Sequence, residues 1–230
     1  MPGAGDAFRV VYEDNHLIVV NKRSGILVQG DKTGDVPLLD LVKSYIKEKY
    51  NKPGDVFLGT VHRLDRPVSG LVVFARTSKA LQRMNELFKS REIKKIYWAV
   101  VTRKPAALQG ELVHWLVKNE QKNITTAYAR EVPGSLQARL HYRLQTQLSG
   151  NYLLEVNPVT GRPHQIRVQL ASMGCPIRGD SKYGGVPVQP EGRIYLHARQ
   201  LEFIHPVKKE QIVCMAPLPE DVLWKQFEKS

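Results

Sequence analysis

Residues 57–74 read Phe57-Leu58-Gly59-Thr60-Val61, then His62-Arg63-Leu64-Asp65-Arg66-Pro67-Val68-Ser69-Gly70, then Leu71-Val72-Val73-Phe74. Two stretches fit for burial enclose the densest polar cluster of the chain, so the polar residues fall where a sheet delivers side chains to the edge of a cleft. Asp65 sits between Arg63 and Arg66, and neighbouring cations favour an ionised carboxylate. That is the state a nucleophile or general base requires and a general acid cannot use. His62 is adjacent in sequence, but neighbouring residues of an extended chain point to opposite faces. It is read as structural.

Working outward, RVVY (Arg9–Tyr12) and LIVV (Leu17–Val20) flank the polar residues 13–16 and predict a β-hairpin. Leu38, Leu39, Val42, Tyr45 and Ile46 recur at helical spacing, predicting a helix over 37–50 with Asp35 as its N-cap and an end at Asn51-Lys52-Pro53-Gly54. Strand-like Leu71–Arg76 leads through Thr77-Ser78 into a second helix with Leu81, Met84, Leu87 and Phe88 on one face. Ile96–Val101, Leu140–Thr146 and Tyr152–Val156 read as strands, the last two forming a hairpin near Ser149-Gly150-Asn151. A short helix over Pro163–Met173 has proline near its start and Gly174 past its end. Strands and helices that do not alternate regularly predict an α+β fold with a mixed, largely antiparallel central sheet and flanking helices, in one domain over residues 1–230. No glycine-rich phosphate loop of the Rossmann or Walker kind occurs.

Two further clusters carry chemistry. In Thr160-Gly161-Arg162-Pro163-His164-Gln165-Ile166-Arg167, Arg167 falls at the border of the apolar helix stripe formed by Ile166, Leu170 and Met173. A guanidinium half-buried there needs a carboxylate or phosphate partner. Arg162 and His164 fall at the helix start, where backbone N–H groups attract anions, and suit an RNA phosphate. Around Lys94-Lys95-Ile96-Tyr97-Trp98, the window Phe88–Lys104 holds six cations against Glu92, a net of +5. Rings among cations suit an unstacked base. Strand alternation puts Tyr97 and Trp98 on opposite faces, so one ring at most faces such a groove.

Composition agrees with this. With 42% hydrophobic residues the chain can build a core, and 34 Lys and Arg against 22 Asp and Glu give +12, which favours an anionic partner, nucleic acid first. No apolar run approaches the roughly 18 residues needed to span a bilayer. The N-terminal residues show no targeting pattern, so a cytoplasmic protein with no membrane association is expected. Cys175 and Cys214 lack metal-ligand spacing.

With SGL after HRLD, then GRPHQIRVQL, GDSKYG (Gly179–Gly184) and YLHA (Tyr195–Ala198), the chain resembles the RluA-type pseudouridine synthases. The resemblance runs from VYEDNHLIVVNKRSG to HPV (His205–Val207) and APLP (Ala216–Pro219). Larger members carry an N-terminal S4 domain; the residues before Val11 are too few for one, and the chain looks like a catalytic domain alone. The resemblance implies Asp65 as catalytic aspartate, Tyr97 as the tyrosine that stacks on the target uracil, and Arg167 as the cation paired with the aspartate. It also implies that Arg63 enters the space left by the flipped nucleotide and, more weakly, that Leu196 walls the pocket. The implied reaction isomerises uridine in structured RNA, ribosomal or transfer, without metal or organic cofactor. A monomer is expected. Three departures from relatives, Val68 for threonine, Gln169 for histidine and Pro158 for an apolar residue, are expected to alter substrate choice, Pro158 by disturbing a sheet edge.

Two rivals belong to other classes. A non-catalytic RNA-binding protein would be free to lose Asp65, Tyr97 or Arg167, and all three are present. A metal-dependent nuclease needs converging carboxylates or histidines, and Asp65 has no acidic companion in its segment.

Overall fold

Strands β1 (Phe8–Glu13) and β2 (Leu17–Lys22) pair antiparallel as the expected hairpin. Its turn is closed by Asp14, whose Oδ1 accepts from the backbone N–H of His16 and Leu17, each at 2.8 Å. The computed structural model describes residues 7–31, 33–189 and 192–228. These fall into two compact units, one of Met1–Lys94 with Ala198–Pro219, the other of Lys95–His197 with Glu220–Ser230.

In the first unit, β2 is buried on both faces along Leu17–Val20, which is why it reads as an unbroken apolar run rather than an alternation. It pairs antiparallel with β4 (Ser69–Ala75), itself buried throughout. The sheet continues to β10 (Leu196–Ile204), with β3 (Gly59–Thr60) on β4 and β11 (Gln211–Met215) on β10. Helix α2 (Ser78–Lys89) is capped by Thr77, whose hydroxyl accepts from the Ala80 N–H at 3.2 Å. Its Met84 is fully buried among Leu17, Val19, Leu71, Val73 and Phe203, with Leu81, Leu87 and Phe88 packed around it.

Helix α1 (Leu38–Lys49) departs from expectation at its start. Pro37, not Asp35, is the N-cap, and no side chain caps it. The open N–H groups of Leu38 and Leu39 donate instead to the carbonyls of Leu27 and Val28, at 2.7 and 3.1 Å. With those donors satisfied by backbone, Asp35 is released to Arg66, at 2.8 Å.

The second unit holds β5 (Lys94–Val101, from Lys95 on), β6 (Gln109–Asn119), β7 (Ile124–Tyr128), β8 (Leu136–Leu148) and β9 (Asn151–Pro158), in the order β5-β9-β8-β6-β7. All four pairings are antiparallel. The β8–β9 turn places Ser149 and Gly150 at φ 47° and 72°, the mirror-image turn that matches strand twist. β6, β7 and the first residues of β8 have no counterpart among the strands expected from sequence. β6 is half-exposed along most of its length, so its alternation is blurred. Pro158 does not disturb the ladder: it is the last residue of β9, still opposite Leu140, and the next residue donates from Val159 N–H to the Arg139 carbonyl at 2.9 Å.

Helix α3 (Gln165–Ser172) begins two residues later than expected, because His164 adopts the left-handed conformation, φ 54°, as its N-cap and leaves Pro163 outside. It packs Val168 against Leu116 and Ala138. Helix α4 (Val222–Glu228) buries Trp224 and Phe227. The fold is α+β and its sheet largely antiparallel, as expected. Among the described residues, no helix is long and apolar enough to cross a membrane.

Gly70 follows the Asp65 segment and has φ +114°; a Cβ there would lie 2.7 Å from the Ala198 Cα and closer still to that residue's backbone N and O. Gly70→Ala should therefore destabilise the protein by about 2–4 kcal/mol in urea unfolding. Gly54→Ala, where a Cβ meets nothing within 4 Å, should change it by less than about 0.5 kcal/mol.

Candidate active site

Asp65 lies in the loop between β3 and β4, half-buried, with Leu64 and Val68 buried beside it and Arg63 exposed. Its carbonyl accepts from the Val68 N–H at 3.0 Å, closing a turn over Arg66-Pro67. The turn is clasped twice by the segment after β2: Gly25 N–H donates to the Arg66 carbonyl at 2.8 Å, and Arg66 Nε donates to the Gly25 carbonyl at 2.9 Å. His62 braces the loop's other end. Its Nε2 accepts from the Val73 N–H at 3.1 Å and its ring stacks on Phe88, a structural role as expected.

Beneath the turn lies a residue the sequence analysis left unassigned. Lys22, 1% exposed, donates from Nζ to the carbonyls of Arg23, Ile26 and Arg66 at 3.0, 2.9 and 3.2 Å. Burial pushes its ammonium down to about 7, opposed by the negative charge of Asp65 and aided by the positive charge of Arg66. Sequence proximity suggested Arg66 as a cation beside Asp65. Its guanidinium is instead held by Asp35 and Gly25, and Lys22 is a buried cation in the field of Asp65. The signal was present: Lys22 follows Ile18 and Val20 at period two, on a face whose other members are fully buried.

In the second unit, Arg167 is 5% exposed, more deeply placed than the half-burial expected. The carboxylate it was expected to need is Asp180, 1% exposed, which accepts from Nε at 2.7 Å and Nη2 at 2.8 Å. Tyr183 lays its ring 5.1 Å from the same guanidinium. Its hydroxyl accepts from the Thr125 N–H at 2.9 Å, which leaves its proton for His164 Nδ1 at 2.6 Å. Burial raises the phenol above its ordinary value, keeping that proton in place. Asp180 and Tyr183 stand in the GDSKYG segment, noted for resemblance but given no role.

His164, 9% exposed, turns its ring to Tyr183, the left-handed cap folding it inward. Leu196 is 3% exposed. Gln169, fully buried, donates from Nε2 to the carbonyls of Leu112 and Ala138 at 3.1 and 3.3 Å, tying α3 to β6 and β8. Tyr97 is half-buried on β5, on the face shared with fully buried Ala99 and opposite Val156 on β9. Arg162 is half-buried, its Nε donating to the Gln137 carbonyl at 3.1 Å. Among the described residues, no group of three or more His, Cys, Asp or Glu is placed to hold a metal ion.

The sequence model of one family, described as RNA pseudouridylate synthase, matches residues 16–172, a span that includes the Asp65 turn, β5 with Tyr97, and α3 with Arg167. The chain belongs to this family. Among similar proteins, ribosomal large subunit pseudouridine synthase D of Xanthomonas campestris is 34% identical over 229 residues, covering 93% of this chain and 66% of that protein. Synthase C of Buchnera aphidicola is 31% identical, covering 96% and 70%. This chain spans just under two thirds of several of the relatives it matches. Among solved structures, human RNA pseudouridylate synthase domain containing 4 superposes with a TM-score of 0.76 at 25% identity, covering 92% of this chain and 88% of that one.

Two outcomes follow for this pseudouridylate synthase fold. Asp65→Asn removes the charge that raises the Lys22 titration, so the Lys22 midpoint should move below its wild-type position, as followed by NMR of the lysine side chain; an unchanged or higher midpoint would separate the two residues. Asp180→Ala leaves a buried guanidinium without its carboxylate and should cost about 3–5 kcal/mol in urea unfolding.

Proposed function

We propose that this chain converts uridine in structured RNA, ribosomal or transfer, to pseudouridine, all 230 residues serving as one catalytic domain. Family membership supports the reaction class. The observation that carries the assignment to a residue is the Asp65 turn, which holds a carboxylate half-exposed over a buried, fully hydrogen-bonded ammonium. A turn fastened on both sides keeps that carboxylate's position without waiting for substrate.

In the proposed reaction the N1–C1′ bond of the uridine breaks, the base turns, and C5 bonds to C1′; C5 gives up its proton and N1 gains one, so the product is an isomer. Asp65 acts on the ribose, either attacking C1′ or taking the C2′ proton. Tyr97 stacks on the uracil, Arg167 is the cation coupled to the aspartate, and Arg63, exposed on the same loop as Asp65, fills the space the flipped base leaves. Extruding a base costs a few kcal/mol, which stacking offsets. Arg162 contacts phosphate. The redox state is unchanged, and the reaction calls for no cofactor.

RNA carrying tritium at uracil C5 should release the label to water, with ribosomal and transfer RNA supplied separately. Asp65→Asn should abolish release while leaving RNA affinity within about twofold, because phosphate contacts dominate binding. A fully active variant, or one that no longer binds RNA, would overturn the assignment. Tyr97→Phe keeps the stacking ring and removes the hydroxyl that in the proposed reaction handles the uracil's proton, so it should keep binding and lose turnover; wild-type turnover would reduce Tyr97 to packing.

A further inference from the structure

Lys22 makes three hydrogen bonds that only its charged form can make together. An ammonium has three N–H groups and no acceptor, whereas the neutral amine has two N–H groups and a lone pair. Around Nζ stand the carbonyls of Arg23, Ile26 and Arg66, at 3.0, 2.9 and 3.2 Å. Donors and acceptors match. Loss of one proton turns the lone pair onto a carbonyl oxygen, at a residue 1% exposed, where water does not replace the missing bond. The bond to Arg66 is the longest of the three and is the one given up.

That carbonyl ties the Asp65 turn to the end of β2. Arg66 follows Asp65 directly, and its oxygen is held from below by Nζ and from the side by the Gly25 N–H at 2.8 Å. With Nζ released, Gly25 alone keeps the turn in place. The charges that act on the ammonium come from the same turn: Asp65 favours its third proton and Arg66 opposes it, while burial brings the group down to about 7. Asp35, its carboxylate 52% exposed, pairs with the Arg66 guanidinium. Phe8 and Gly70, opposite Lys22 in the ladders with β1 and β4, carry no charge, and the Arg23 side chain is exposed.

We propose that charged Lys22 is a positioning residue for the reaction: it holds the Asp65 turn where the carboxylate reaches the ribose, and the chemical step slows when the ammonium gives up a proton. This rests on the proposed function and adds to it a group that touches no substrate yet makes the site's assembly depend on pH. Small displacements of a reacting group are costly, since an error of about 1 Å can lower a rate on the order of a hundredfold.

The test follows kcat and KM for tritium release across the neutral pH range, beside an NMR titration of the Lys22 side chain. In wild type kcat should be highest where Lys22 is charged and fall about tenfold as pH rises, the value of one charge-assisted bond. Its midpoint should coincide with the NMR midpoint, and KM should stay within about twofold. A lysine needed only for folding would give no such limb. Arg66→Gln removes the positive charge that favours proton loss, so both midpoints should move up together. Lys22→Met keeps the stem without the ammonium and should show kcat about tenfold lower at low pH, with the limb gone. Should Lys22→Met not fold, Arg66→Gln still decides, because it keeps Lys22 in place and is read by its midpoint rather than its maximal rate. A kcat that stays level through the Lys22 midpoint, a limb found in KM alone, or a limb that stays put while Arg66→Gln moves the NMR midpoint would overturn the positioning role, with tritium release by wild type leaving the proposed function standing. Absence of release by wild type from every RNA would overturn the proposed function, and the positioning role with it.

Discussion

An ammonium group buried to 1% exposure at the end of a core strand is the constraint around which the first unit is arranged. Lys22 cannot be withdrawn from water without replacements for its hydration, and three carbonyls supply them, one from each of Arg23, Ile26 and Arg66. Two of these fix the course of the chain after β2. The third belongs to the Asp65 turn, so the turn is pulled down onto the strand end by the same bonds that make the lysine tolerable there. Asp65 adds the countercharge, offsetting part of the burial. Gly70, opposite Lys22 in the β2–β4 ladder, lets β4 begin this close to Ala198.

The second unit solves the same problem with a different cation. Arg167 is buried like Lys22, though less completely, and its planar guanidinium donates two parallel bonds to the Asp180 carboxylate rather than to scattered carbonyls. The Tyr183 ring covers it, and the Tyr183 hydroxyl joins Thr125 of β7 to His164 at the head of α3. Rigid geometry within each unit thus comes from a buried charge whose hydrogen bonds are satisfied by the chain itself. That is a demanding arrangement, since removing one partner exposes the full desolvation penalty of the other.

These two devices also mark where sequence reading succeeded and where it stopped. The hairpin of β1 and β2, the capped stripe of α2 and the β8–β9 turn were legible because each is set by residues close in sequence: the Asp14 turn, the Thr77 cap, the Ser149-Gly150 pair. Arg167's need for a carboxylate was legible from its place beside the apolar stripe; that Asp180 answers it was not, since the pair is formed by tertiary packing across 13 residues. The inward turn of His164 was illegible for a related reason. A helix start pictured from Pro163 exposes the ring, whereas a left-handed N-cap turns it into the core, and nothing local distinguishes the two until Tyr183 is in place. Asp35 failed as a cap because backbone carbonyls from 27 and 28 reached the helix first.

Surface charge follows other rules. The chain's +12 excess is distributed over side chains many of which are partly engaged, as with Arg139 on Glu111 at 3.1 Å and Arg66 on Asp35 at 2.8 Å. Exposed pairs of that kind stabilise the fold little, about 0–1 kcal/mol each, and an approaching polyanion can compete for their cations without endangering the core. Buried cations are unavailable to it, because their bonds hold the loops in place. The proposed function, in which RNA is gripped, one nucleotide positioned and the product released, is served by this separation. Affinity can be tuned by salt-sensitive contacts at the surface, while the geometry around Asp65 and Arg167 is held by interior bonds that salt screens far less.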